Sequence, residues 1–173
     1  MAVADSLGEV AQSIRPAQVE RTLEAIEANW PPGAPPFRET IAEFPLGAPA
    51  LFHLLSVSSI CGARLIQHPE ILLWLSKPEI CADRRGFGQM MTNLHNLAGR
   101  APLAADNFRV LRFWKGREMV RIALREIAGA APLEETLIEL TQLADICLTT
   151  VYDHWNNELR QRWGAPASQF AII

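Results

Sequence analysis

Hydrophobic residues recur every three or four positions through most of the chain, the spacing of one face of an α-helix. This pattern predicts a first helix from Pro16 to about Trp30, which the proline-rich run 31–36 stops. A second helix is predicted to open at Pro49 and to carry one apolar stripe as far as Leu65. The first third of the chain is therefore predicted to be helical on both sides of a linker.

Two shorter helices are predicted between the linker and the long C-terminal helices. The first follows His68 and runs to Leu75, with Pro69 suited to its first position. The second runs from about Arg84 to Leu97 and has two glycines near its start. Because glycine disfavours the helical conformation, the pattern indicates the second helix less strongly than the first.

The C-terminal half predicts two long helices joined by a short turn. Asp106 or Asn107 can cap the first, which ends at Gly129, and Pro132 starts the second. The second keeps its apolar spacing for about thirty residues, or roughly 45 Å. Its predicted apolar positions are Leu133, Leu137, Leu140, Ala144, Cys147, Val151, Trp155, Leu159 and Trp163. Two long helices with so short a connection are expected to lie antiparallel and to share a core.

The last five residues, 169–173, break the helical pattern. They form a β-branched and aromatic run that is typical of a buried strand, and no other segment offers a neighbouring strand. The predicted fold is an all-α helical bundle with two long antiparallel helices, ending in one truncated β-strand. The predicted division is 1–36 for N-terminal helices and the proline-rich linker, 37–167 for a helical domain, and 168–173 for the start of the strand.

Composition restricts the class of protein. A chain of 173 residues that is 49% hydrophobic and 20% charged is globular and long enough for one domain with a core. The net charge of −3 argues against a surface that binds nucleic-acid phosphates. The uncharged stretch 45–63 is too polar for a membrane span, and the N-terminus lacks the apolar core of a signal peptide. These features predict a soluble cytoplasmic protein.

The chain shows no sequence pattern of a catalytic or metal site. Its three cysteines (Cys61, Cys81 and Cys147) are far apart without a CxxC pair, so we interpret them as small buried residues in a reducing compartment. The aspartates form no D-x-D pair, the histidines have no metal-ligand spacing, and neither a GxSxG motif nor a P-loop is present. The prediction is no catalytic residue, no metal ligand and no bound cofactor in this chain.

One charge pattern stands out in the first long helix. Between residues 109 and 125 six basic side chains face a single carboxylate, that of Glu118. Arg117, Arg121 and Arg125 are spaced four apart and lie on one stripe beside it. One interpretation is a solvated helix face, with Glu118 pairing weakly to its neighbours. The other is a basic surface for an acidic domain, a protein partner or a nucleotide phosphate, so these four residues are the candidate interdomain or partner surface.

Four segments, in order, resemble the glutamine synthetase adenylyltransferase/deadenylylase family. Residues 111–125 (LRFWKGREMVRIALR) are similar to the family's basic helix, L-R-x-F-[RK]-[RK]-R-x-M-x-R-I-A. Residues 68–72 (HPEIL) match its H-P-E-x-L segment, and 143–166 resemble the long helix that follows. Residues 170–173 (FAII) match the strand that precedes its glycine-rich G-M-G-K-L-G-G motif. The chain departs from the pattern at Trp114 and Gly116, where basic residues are usual.

The resemblance implies a function that the chain cannot perform alone. Family enzymes transfer AMP to a tyrosine of glutamine synthetase and remove it again under control of the PII protein, with ATP and Mg²⁺ as cofactors. Their phosphate-binding glycines and metal-binding D-x-D pair have no counterpart in residues 1–173. The resemblance identifies this chain with the N-terminal helical accessory region, which packs against a downstream nucleotidyltransferase domain. The alternatives are a non-catalytic helical protein-interaction module and a truncated gene product.

Overall fold

The computed structural model describes residues 14–99 and 108–165. Within those ranges it contains nine α-helices and no β-strand, which confirms the all-α prediction for that part of the chain. The predicted strand at 168–173 lies outside the described residues. The helices are α1 (Pro16–Ala28), α2 (Phe37–Ala42), α3 (Ala48–Val57), α4 (Ser59–Gln67), α5 (Glu70–Leu75), α6 (Pro78–Cys81), α7 (Phe87–Ala98), α8 (Arg109–Ile127) and α9 (Leu133–Trp163).

The chain divides into two compact units. Unit 1 comprises Met1–Arg85 and Gly116–Leu140, and unit 2 comprises Gly86–Lys115 and Thr141–Ile173. The two long helices α8 and α9 each contribute residues to both units. The division therefore follows packing between helices rather than the order of the chain.

In unit 1, α1 packs against α3 and α4. The side-chain amide of Gln18 donates to the carbonyl of Leu55 at 3.1 Å, and Val19 and Ile26 are fully buried. A hydrogen bond links the two ends of the proline-rich run after α1: the indole N–H of Trp30 donates to the carbonyl of Pro35 at 2.8 Å. The described residues before the linker thus belong to the same unit as the helices that follow it.

The sequence prediction of one helix from Pro49 to Leu65 is wrong, because Ser58 divides it into α3 and α4. Ser58 leaves the helical conformation (φ −125°, ψ 96°), and its hydroxyl accepts a hydrogen bond from the N–H of Cys61 at 3.3 Å. A serine that caps a new helix competes with continuation of the old one. The apolar spacing continues through the break, which is why periodicity alone did not locate it.

Replacing Ser58 with alanine is expected to lower the free energy of unfolding by about 1 kcal/mol, the usual effect of losing an N-cap side chain. Replacement by glycine should cost only a few tenths of a kcal/mol, because glycine tolerates the cap conformation and exposes the N–H to water. Chemical denaturation measures both values. Ser59, an exposed neighbour inside α4, provides the matched alanine control. A loss at Ser59→Ala equal to that at Ser58→Ala would contradict the capping role.

None of the described helices is both long and apolar enough to cross a membrane. The helices α3 and α4 reach that composition only as a pair, and they are bent by 112° where they meet. Their apolar residues Leu51, Leu54, Leu55 and Leu65 are buried within unit 1. The apolar character of this segment is therefore accounted for by the core of the unit.

The turn between α8 and α9 has the predicted glycine. Gly129 adopts a left-handed conformation (φ 69°), and its N–H donates to the carbonyl of Glu126 at 2.9 Å. The N–H of Ala130 donates to the carbonyl of Arg125 at 2.9 Å. This pair of bonds is the Schellman arrangement, which ends a helix and favours glycine at the left-handed position. The end of α8 and the start of α9 after Pro132 confirm the sequence prediction, whereas the antiparallel arrangement of the two helices stays a prediction.

The face of α9 that we expected in the core is largely exposed. Leu133, Trp155 and Trp163 retain 59%, 52% and 77% of their accessible surface. The buried residues lie on the other side of the helix: Thr136, Glu139, Leu143 and Ile146. Two sides of α9 carry apolar residues, and the buried side is the one that contains Glu139, whose carboxylate accepts hydrogen bonds from Arg121 and Arg125.

Two short helices, α2 and α6, lie where no helix was predicted. Apart from the break at Ser58, the other helices begin and end close to the predicted positions, including α5 after His68 and α7, which was predicted from about Arg84 to Leu97. Helices of four to six residues carry too few apolar positions to show a periodic pattern. Phe37 and Ile41 of α2 and Cys81 of α6 are buried, so these helices depend on packing rather than on a periodic pattern of their own.

Candidate functional site

The four residues of the candidate partner surface lie inside unit 1. Arg117, Glu118, Arg121 and Arg125 retain 7%, 0%, 0% and 2% of their accessible surface. The interpretation of this stripe as a solvated helix face is therefore wrong. The side chains instead belong to a cluster of alternating charges, here called the buried ion cluster, whose members are Arg85, Arg117, Glu118, Arg121, Arg125, Glu135 and Glu139.

Glu118 is the acceptor at the α8 side of the cluster. Its Oε2 accepts from Arg121 Nε at 2.8 Å, one turn further along the helix. Its Oε1 accepts from Arg85 Nη1 at 3.0 Å and lies 3.8 Å from Arg117 Nη2. Both carboxylate oxygens thus face guanidinium groups, which is what a fully buried carboxylate requires.

Glu139 is the corresponding acceptor on α9. Its Oε1 accepts from Arg121 Nη2 and from the backbone N–H of Arg85, the latter at 3.0 Å. Its Oε2 accepts from Arg125 Nη1 at 2.7 Å. One carboxylate therefore joins α8, α9 and the segment before α7, all through residues of unit 1.

Arg125 completes the cluster at the end of α8. Its Nη2 lies 2.7 Å from Oε1 of the partly exposed Glu135, and its Nε donates to the carbonyl of Cys81 at 3.2 Å. The guanidinium near the helix C-terminus also suits the partial negative charge of that end. Arg125 links α6, α8 and α9, so it acts as a joint between three segments.

The ring of Trp74 lies against two guanidinium groups of the cluster, those of Arg85 and Arg117. The guanidinium carbon of Arg117 lies 4.1 Å from the centre of the Trp74 ring, and that of Arg85 lies 5.0 Å from it. Guanidinium groups at this distance are attracted by the negative face of the ring, and the attraction is larger where water is excluded. The ring gives these two cations a further partner besides Glu118.

Burial and charge act in opposite directions on the pKa values of the cluster. Removal from water lowers the pKa of Arg85 and of Arg117, with Glu118 opposing the shift in both. Burial acts the same way on Arg121, but the charge of Glu118 and hydrogen bonds to Glu139 and Glu118 outweigh it and raise the pKa of that guanidinium. Arg121 is thus the most firmly charged of the three and lies between the two buried carboxylates.

The chemistry of the cluster is that of a structural joint. Four guanidinium groups face three carboxylates, and the shared hydrogen bonds occupy the carboxylate oxygens that acid–base catalysis would need. Burial of Cys81, whose carbonyl Arg125 binds, raises the pKa of that thiol to about 11, so it is a poor nucleophile at neutral pH. A contact between a following domain and the four predicted surface residues stays a prediction; these residues are Arg117, Glu118, Arg121 and Arg125.

The sequence analysis missed Arg85, Trp74, Glu135 and Glu139 as members of the cluster. Glu135 lies in the first turn of α9, where a negative charge is favourable in any helix, so its position alone does not indicate a buried partner. A signal was present, because Glu135 and Glu139 are spaced four apart just as Arg121 and Arg125 are. Two such pairs on either side of a short turn are complementary when the helices face each other.

The described residues do not fit a site for Mg²⁺ and a nucleotide. No group of three or more His, Cys, Asp or Glu side chains within 14–99 and 108–165 is arranged to hold a metal ion. The arginines that we considered for a nucleotide phosphate are buried against carboxylates instead. ATP and Mg²⁺ are therefore assigned to no residue of this part of the chain.

Comparison with known proteins adds independent information. A model of the glutamate-ammonia ligase adenylyltransferase family matches residues 49–172. A bifunctional glutamine synthetase adenylyltransferase/adenylyl-removing enzyme of Thioalkalivibrio sulfidiphilus is 33% identical over 117 residues, which is 68% of this chain and 12% of the relative. The enzymes of the same description from Shewanella woodyi and Mannheimia succiniciproducens are 27% and 29% identical over 67% and 75% of the chain, and over 12% and 14% of their own lengths.

The match covers most of this chain and a small part of each relative. The chain spans about an eighth of the length of the curated relatives that it matches. No solved structure matches it significantly. The matched range includes α8, the whole buried ion cluster and α9. On the family match over residues 49–172, the chain belongs to the glutamate-ammonia ligase adenylyltransferase family.

Proposed function

We propose that the chain is a helical accessory region of a bifunctional glutamine synthetase adenylyltransferase/adenylyl-removing enzyme, from the N-terminal, deadenylylating half. In this role it has no active site of its own. It packs against a nucleotidyltransferase domain that lies downstream and helps to form the surface for glutamine synthetase. PII as the regulator, ATP and Mg²⁺ as cofactors of the complete enzyme, and a cytoplasmic location belong to the same proposal.

The buried ion cluster is the observation that carries this role. A region that presents a surface to a catalytic domain and to a protein substrate must hold its helices at fixed positions. Glu118 and Glu139 do this by joining α8, α9 and Arg85 through direct, charge-assisted hydrogen bonds. We infer that Arg117, Glu118, Arg121 and Arg125 act on the partner surface by fixing the position and rotation of α8. The antiparallel packing of α8 on α9 is part of this proposal.

Two other functions stay open beside this one. A free-standing helical interaction module would bind glutamine synthetase or PII without belonging to a larger enzyme. A truncated gene product would fold through the same cluster and bind neither. All three accounts share the fold, so binding and competition separate them.

A competition experiment tests the proposed function. Purified chain is added in excess to a full-length relative that adenylylates glutamine synthetase in the presence of ATP and Mg²⁺. We expect the chain to bind immobilised glutamine synthetase with a micromolar Kd and to slow AMP incorporation, because it occupies part of the enzyme's docking surface. The chain alone should transfer no AMP. A helical protein of similar size and net charge serves as the control.

The outcomes of this experiment separate the candidates. Binding with competition supports the accessory region. Binding to glutamine synthetase or PII without any effect on AMP incorporation favours the free-standing module. Absence of binding to both proteins contradicts the proposal and favours a truncated product. AMP transfer by the chain alone would overturn the claim that it lacks an active site.

A further inference from the structure

The C-terminal part of α9 in unit 2 carries a continuous exposed apolar face, here called the α9 face. Its members are spaced three or four residues apart, so they lie on one side of the helix. They are Leu148, Tyr152, Trp155, Leu159 and Trp163. Part of this face forms a pocket of about 550 Å³ lined mainly by its aromatic and leucine side chains.

The residues that α9 buries in this part of the chain lie on a different side of the helix from the α9 face. Leu143 and Ile146, on the opposite side of α9, are buried to 3% and 0% exposure. The ring of Trp155 contacts the neighbouring His154 ring edge to face at 5.0 Å, and His154 contacts Phe108 in the same way at 5.3 Å. The face is thus an ordered apolar surface turned outward, and surfaces of this kind mark interaction sites.

The α9 face has the size of one half of a small specific interface. With about 150–250 Å² for each large aromatic side chain, the exposed parts of the five residues amount to roughly 500 Å². Two copies of the face would cover on the order of 1,000 Å², near the lower limit for a specific protein interface. A pair of identical faces therefore suffices for a weak dimer.

The residues of the face are also arranged symmetrically about a point midway between Tyr152 and Trp155. When a second copy of α9 runs antiparallel to the first, with Tyr152 of one copy opposite Trp155 of the other, Leu148 of one copy lies opposite Leu159 of the other. The largest exposed side chain, Trp163, then falls opposite the small residue Ala144. Large residues meet small ones at the ends and aromatic rings meet at the centre, so the pattern is self-complementary.

Charges beside the face favour the same alignment. Asp145 and Arg160 are both exposed and lie along the same edge of the apolar stripe. In the antiparallel alignment each Asp145 lies within about 3 Å, measured along the helix axis, of Arg160 on the second copy. A parallel alignment would instead place like charges at the same level, which is unfavourable.

We propose that the α9 face binds a second copy of this chain, in an antiparallel dimer with two-fold symmetry. The interface consists of Leu148, Tyr152, Trp155, Leu159 and Trp163 from each copy, flanked by two Asp145–Arg160 pairs. The dimer goes beyond the proposed function and does not rest on it, because it needs neither glutamine synthetase nor a catalytic domain.

Sedimentation equilibrium of the full chain over about 1–200 μM tests the dimer directly. We expect a reversible monomer–dimer equilibrium with a Kd in the micromolar range. Trp163→Glu should raise that Kd at least tenfold, whereas Ile60→Glu should leave it unchanged. These two positions are matched, since both are 77% exposed and Ile60 belongs to α4 rather than to the α9 face. A chain that stays monomeric over the whole range overturns the proposal and leaves the face to a different protein.

Exchanging the two charges distinguishes the specific antiparallel dimer from non-specific hydrophobic association. Asp145→Arg and Arg160→Asp are each expected to weaken the dimer about tenfold, because each places two pairs of like charges at the interface. The double variant D145R/R160D restores opposite charges and should regain most of the affinity. A double variant as weak as the single ones contradicts the alignment. Circular dichroism of each variant checks that α9 remains helical.

Discussion

Replacing Glu139 with glutamine is expected to lower the free energy of unfolding by about 3–5 kcal/mol. The substitution keeps the shape of the side chain but removes the negative charge that Arg121 and Arg125 share. A buried charge without a partner costs far more than its pair contributed, because the desolvation of the cation is then uncompensated. Arg121 has no exposed surface, so water cannot take the place of the lost carboxylate. Urea denaturation followed by circular dichroism measures the loss.

The matched control is Glu134→Gln, since Glu134 lies on the same helix and is exposed. Its removal takes one charge from the first turn of α9 and should change the free energy by less than about 1 kcal/mol. Equal losses at Glu134 and Glu139 would mean that the effect comes from the general charge of α9. The cluster would then not be the joint that we describe.

Trp114→Ala is the second substitution with a large expected effect, a loss of about 3–5 kcal/mol. Trp114 is fully buried on α8, and removing a large aromatic side chain leaves a cavity as well as losing its transfer free energy. Trp163→Ala provides the control, because Trp163 is a tryptophan of the neighbouring helix that keeps 77% of its surface exposed. At a protein concentration well below the expected dimer Kd, that variant should change stability by less than about 0.5 kcal/mol.

The substitution Trp114→Phe distinguishes the contribution of the aromatic ring to stability from that of the indole N–H group. The indole nitrogen of Trp114 is buried and has no hydrogen-bond partner among the described residues. An unsatisfied buried donor costs about 1–3 kcal/mol, so phenylalanine removes a penalty while it loses part of the packing. We therefore expect Trp114→Phe to lose less than half of what Trp114→Ala loses. A larger loss would contradict the absence of a hydrogen bond to this indole.

Much of the helical fold was predictable because its signals are local. Gly129 and Pro132 fixed the end of α8 and the start of α9, since one requires a left-handed turn and the other suits a helix start. The break at Ser58 was not predicted, because its cap is a single hydroxyl within an unbroken apolar pattern. Short helices such as α2 depend on packing and leave little periodic signal.

The side of each long helix that is buried could not be predicted from periodicity. On α8, three arginines spaced four apart looked like a solvated stripe, yet they are internal because Glu139 on the next helix neutralises two of them. On α9, the more continuous apolar stripe is the exposed one, and it includes Trp155 and Trp163. Burial of a charge is decided by a partner distant in sequence, which a helix pattern does not contain.

The central claim is that the arginine stripe of α8 is an internal joint of the fold, and the coupling free energy between Arg121 and Glu139 tests it most directly. The measurement is a double-mutant cycle with Arg121→Met, Glu139→Leu and the double variant, each unfolded in urea. The account predicts large losses for the single variants and a smaller loss for the double variant than for their sum, with a coupling of at least about 2 kcal/mol. Additive losses, with no coupling, would contradict it.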